Sequence, residues 1–140
     1  MSSSDRTAFL RALSDTPYGN FLGVEPIFLG DELTLKLPFK DGNIGNPVTP
    51  ALHGGAIGGF MELCAIAQVI LEHPDEGRPI PIGVNFYYLR PAKSEDTFAK
   101  ATITKHGRRI VNVQVTAWQG DQDNPIATLQ GHFLIREKKS

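Results

Sequence analysis

The sixteen residues from Ala56 to Leu71 decide most of what this chain can fold into. Twelve are apolar, two are glycine, and the remaining two are Glu62 and Gln68. The run is too long for an ordinary strand. Its apolar residues point in all directions instead of along one stripe, which predicts a helix buried most of the way round. A single helix covered on so many sides needs a sheet that curves around it, and the flanking sequence supplies one. "FLGVEPIFLG" (21–30) and "DELTLKLPF" (31–39) read as two strands before the helix. Leu33, Leu35 and Leu37 alternate with Thr34 and Lys36, and "GDE" marks the hairpin turn. Four strand-like runs follow the helix, at 80–91, 96–105, 109–118 and 125–137. Their short links, "HGR" and "QGDQDN", favour antiparallel pairing. The expected architecture is α+β: one domain over 1–140, a curved six-stranded antiparallel sheet wrapped around one long central helix. A short helix within 4–14, capped by Ser4, is predicted ahead of it. "KDGNIGNPVTP" (40–50) is a loop by composition.

Several function classes drop out on composition. A formal net charge of -1 gives no sign of a nucleic-acid or anionic-membrane partner. Cys64 is the only cysteine and can form no internal disulfide, which predicts a reducing, cytoplasmic setting. "MSSSDRTAFLRALSD" lacks the apolar core of a signal peptide. Glu62 breaks the longest uncharged run near the middle, so nothing reads as a membrane span. No His, Cys and Asp spacing suggests a metal site. "GGAIGG" lacks the strand and downstream acid of a dinucleotide fingerprint, so no cofactor is expected.

The chemistry concentrates in "LHGGAIGGFMELC" (52–64). Gly54 and Gly55 stand at the predicted helix start, where the first N–H groups lack intrahelical partners. With the positive end of the helix dipole, those donors suit a carbonyl oxygen gaining negative charge. An isolated His-Gly-Gly is more often only a tight turn, and a helical glutamate usually faces water. Here the helix has little wet face. The neighbours of Glu62 at three- and four-residue spacing are Gly58, Gly59, Ala65 and Ile66, none of them a cation. A carboxylate in such company is costly to bury unless something uses it, and desolvation makes it a better base. Glu62 lies roughly 10–12 Å beyond the donors at 1.5 Å per residue. Two helices packed antiparallel about a two-fold axis, with Gly58 and Gly59 permitting close approach, would set each acid against the other copy's donors. The spacing thus points to a homodimer with shared sites.

"LHGGAIGGFMELCA", "VNFYYLRPAK" and "KHGRRIVNVQV" together resemble the hotdog-fold acyl-CoA thioesterases of the phenylacetate-degradation and 4-hydroxybenzoyl-CoA thioesterase type, over about Leu22 to Ile135. The resemblance implies a hotdog fold, dimers and often tetramers, and hydrolysis of acyl-CoA to free acid and coenzyme A. It assigns Glu62 as nucleophile or general base. It gives Gly54 the polarising amide and His53 an orienting role. The family's loop amide six residues before the histidine falls on Pro47 here, so Asn46, one residue earlier, takes that role. Two hydroxyls found in some members are absent: Ile66 stands one turn after the acid, and Pro81 stands before the "YLRP" strand. Near the coenzyme the resemblance points to Arg90, Lys93, Arg108 and Arg109, whose charge suits its phosphates. A charge cluster on a hairpin is otherwise a solvated surface.

Two other functions are open to the same sequence. A hotdog dehydratase or hydratase is one: "MELCAIAQ" also resembles the helix of the acyl-carrier-protein dehydratases, but the histidine those enzymes carry about fourteen residues upstream is Val48 here, and the Asp-to-His pair of the hydratase type is also missing. A non-catalytic acyl-CoA binder would keep the fold without the turnover. Phe60, Met61, Tyr87, Tyr88 and Trp118 are candidates to line an acyl pocket. Cys64 reads as a buried core residue, and His73, His106 and His132 receive no catalytic role.

Overall fold

A computed structural model describes residues 23–39, 54–74, 76 and 78–135. The elements in chain order are β1 (Glu25–Leu29), β2 (Glu32–Leu37), α1 (Gly54–Glu72), β3 (Ile80–Tyr88), β4 (Thr97–His106), β5 (Ile110–Trp118) and β6 (Ala127–Leu134). They form one six-stranded sheet in the order β1-β2-β4-β5-β6-β3. All five pairings are antiparallel. The strand that follows the helix is not inserted beside β2. It crosses to the far edge and, among the described residues, pairs only with β6. The helix within 4–14 lies outside the described residues.

Alternation along the strands builds the inner face. Leu33, Leu35 and Leu37 of β2, Ala99 and Ala101 of β4, Val111, Val113, Val115 and Ala117 of β5, and Ala127, Leu129 and Phe133 of β6 are all buried. Against them lie Ile57, Phe60, Met61, Leu63, Cys64, Ala65, Ile66, Ala67 and Val69 of α1. The apolar residues thus cover most of the helix circumference, as the sequence requires. Between Gly55 and Glu72 the helix exposes only those two end residues, while Glu62 is half-buried. By length and composition Gly55–Glu72 would suffice to cross a bilayer, but here it has the mostly buried position of a core helix.

The β1–β2 hairpin closes on two residues, Gly30 and Asp31, with Leu29 opposite Glu32. Gly30 has φ +64° while no described non-glycine residue has positive φ. That combination is the one a type II′ turn demands, with glycine first. Between β4 and β5 the link is residues 107–109, and His106 ends β4 instead of belonging to the turn. The β3 edge differs from the rest of the sheet. Ile82, Phe86, Tyr87 and Tyr88 are exposed large apolar residues, and the register shifts between Pro81 and Gly83.

Candidate active site

The helix begins at Gly54, so both glycines of "HGG" lie in its first turn. No acidic side chain occupies that turn, which leaves the positive end of the helix dipole uncompensated from within the helix. His53 and Asn46 lie outside the described residues.

Two turns further on is Glu62. Burial pushes its carboxyl above the ordinary value, with no opposing contribution from a nearby cation. Among the described residues it forms no hydrogen bond and no ion pair. Cys64, two positions on, is fully buried, and burial pushes its thiol up, as suits a core residue. The ground before Glu62 is bare of side chains because positions 58 and 59 are glycine. A Cβ at Gly58 would stand 3.0 Å from the Tyr88 hydroxyl oxygen and 3.4 Å from Phe86 Cε1. Glycine is therefore what lets β3 lay two aromatic side chains against the helix.

The sequence nominated five pocket residues, and the fold sorts them. Phe60 and Met61 are fully buried in the core. Trp118 stacks on Phe98, with ring centroids 6.1 Å apart. Phe98 and Trp118 alternate with the buried Ala99 and Ala117, so both belong to the outer face. Tyr87 sits opposite Thr128 on that outer face. Of the five, Tyr88 alone is shown against Gly58. Phe86 joins it there and was missed, although the two-residue period that relates it to Tyr88 was readable in "FYY".

The four basic candidates fall into two groups. Arg90 and Lys93 follow β3, where β6 begins and β5 ends. Gln119 braces this loop: it accepts from the Lys93 N–H at 2.9 Å and donates to the Lys93 carbonyl at 2.9 Å. Arg90 Nη2 donates to Asn124 Oδ1 at 3.3 Å. Arg108 and Arg109 lie between β4 and β5, at the opposite end of the sheet. The nine residues of β5 put roughly 30 Å between the two ends. Gly58 touches β3 near its end, so the start of α1 shares its end of the sheet with Arg90 and Lys93. At the other end, His73 Nε2 lies 3.3 Å from His106 Nδ1, and Glu72 Oε1 lies 3.7 Å from His106 Nε2. One chain cannot offer all four cations to one phosphate cluster. No cluster of metal-ligating side chains occurs among the described residues.

A central helix wrapped by a six-stranded antiparallel sheet is the architecture of a hotdog-fold protein, and here that helix carries an acid. A family model described as the acyl-CoA thioesterase N-terminal domain matches residues 45–134. The chain belongs to that family and is a thioester hydrolase. Among solved structures it is similar to a Chromobacterium violaceum protein, at 35% identity and TM-score 0.74, over 93% of this chain and 90% of that one. A phenylacetic acid degradation-related protein of Ralstonia eutropha JMP134 shares 22% identity at TM-score 0.76, over 91% of this chain and 98% of that one. The BH2602 protein of Bacillus halodurans, solved with CoA, shares 18% identity at TM-score 0.76, over 99% and 98% of the two chains. A comparison with curated proteins returns no match.

Proposed function

We propose that Glu62 is the acid that drives hydrolysis of an acyl-CoA thioester, as nucleophile or general base, with helix-start amides at Gly54 and Gly55 as the oxyanion site. The observation that carries this reading is the state of Glu62: half-buried, raised in pKa by desolvation and joined to no cation among the described residues. A carboxylate that burial makes more basic is better suited to proton abstraction from water. The donors come from a partner copy. A helical side chain leans towards the N-terminus, so Glu62 stands about one turn nearer its own donors than backbone rise alone suggests. The open β3 edge, with its exposed Ile82, Tyr87 and Tyr88, is therefore the stronger support for pairing. Arg90 and Lys93 meet the coenzyme, since they share an end of the sheet with the helix start. The Bacillus halodurans relative solved with CoA supports a coenzyme site in this fold.

The test is Glu62→Gln, assayed by thiol release across acyl-CoA chain lengths and aryl groups. The variant keeps the fold, being isosteric, and loses at least ~100-fold in turnover. A folded variant with near-normal hydrolysis removes Glu62 from the mechanism. The same screen names the acyl group.

A further inference from the structure

We propose that Tyr88 is a positioning residue for Glu62, its phenol O–H donating to the carboxylate when the acid turns towards the thioester. The inference rests on the reading of Glu62 given above. Its first support is the approach of β3 to the helix, with the Tyr88 hydroxyl 3.0 Å from where a Gly58 side chain would begin. Its second is helix geometry. A side chain on a helix covers the turn before it, over positions i−3 and i−4. For Glu62 these are Gly59 and Gly58, which put nothing in the way. Hydroxyl and carboxylate therefore share one patch of helix surface.

The chemistry of that patch calls for a donor. The helical neighbours of Glu62 are Gly58, Gly59, Ala65 and Ile66, and β3 brings Phe86 and Tyr88. None of these is charged, and Tyr88 alone carries a side-chain donor. Ile66, one turn after the acid, is buried and apolar. A half-buried carboxylate with no donor is costly, and a hydroxyl bound to an ionised acceptor makes one of the stronger hydrogen bonds. Phe86 lies against the same glycine with its Cε1 3.4 Å from the Cβ position, packing beside the hydroxyl.

Tyr88→Phe keeps the ring and removes only the hydroxyl. Turnover should fall roughly tenfold, the scale of a hydrogen bond to a charged group, while KM for acyl-CoA stays within a factor of about two to three and the variant still unfolds in a cooperative thermal transition. Losing a donor to the ionised form raises an acid's pKa. The acid limb of the kcat/KM profile should therefore move up by about half a unit or more. Independently of activity, the carboxyl carbon-13 resonance of Glu62, assigned through Glu62→Gln, should titrate at higher pH in Tyr88→Phe than in the native chain. If Tyr88→Phe does not fold, Gly58→Ala is read the same way, since its methyl displaces the hydroxyl. An unmoved Glu62 titration overturns the proposal. A native chain that hydrolyses no acyl-CoA overturns the functional reading instead and leaves the carbon-13 comparison to decide the pairing.

Discussion

At the scale of single residues, the same burial that makes the Glu62 carboxylate more basic also makes it a burden on the fold. Its carboxyl holds its proton more tightly in the folded chain than in the unfolded one, where its pKa is the ordinary 4.5. Between that value and the raised folded value, the folded state binds more protons than the unfolded state, so stability falls as pH rises. The penalty is complete above the folded pKa and absent below 4.5. Glu62→Gln should therefore raise the thermal transition near neutral pH, and the gain should vanish on acidification towards pH 4. Melting curves of both proteins across pH 4–8 check this. A variant less stable than the native chain at pH 7 would mean that the ionised acid has a stabilising partner. The acid and its setting were legible in the sequence because Glu62 is an exception inside an apolar run. The aromatic pair was only half legible. Tyr88 was named among five candidates, but nothing local in the chain distinguishes the inner face of an edge strand from the outer one.

At the scale of elements, the strands and the helix followed from periodicity, and the helix grew only from Ala56–Leu71 to Gly54–Glu72. The order of strands did not follow. The crossing of β3 to the edge beside β6 depends on contacts between residues far apart in the chain, which alternation cannot encode. That order decides which basic residues can act together. The sequence grouped Arg90, Lys93, Arg108 and Arg109 by charge, and the sheet separates them into opposite ends. Arg90→Ala and Lys93→Ala should each raise KM for acyl-CoA by up to roughly fivefold, as exposed charges do, with little change in kcat. The effect should shrink in high salt. It should also be absent for truncated thioesters that lack the nucleotide. The pair Arg108→Ala with Arg109→Ala is the contrast. An equal rise there, again confined to nucleotide-bearing substrates, would require a neighbouring copy to bring its β4–β5 hairpin to this site.

At the scale of the whole molecule, the remaining question is whether one chain makes a complete site. Among the described residues nothing pairs with the outer edge of β3, and the proposed pairing there would join two copies into one continuous sheet with two helices near a common axis. A mixed assembly tests whether the site is then shared. One chain carries Glu62→Gln and its partner carries Gly54→Pro. Gly54 is the first residue of α1, the helical position where proline is best tolerated, and proline there removes the N–H proposed to hold the oxyanion. Each homodimer should be nearly inactive, since every site lacks one component. In the mixed dimer one site takes its donor and its acid from the two damaged positions. The other takes both from intact ones. About half the native activity per dimer should return, scaled to the measured fraction of mixed dimers, with folding of the proline chain checked by its thermal transition. Sites built within one chain would all stay damaged in the same mixture, so no recovery in verified mixed dimers would leave each Glu62 working with the amides of its own helix.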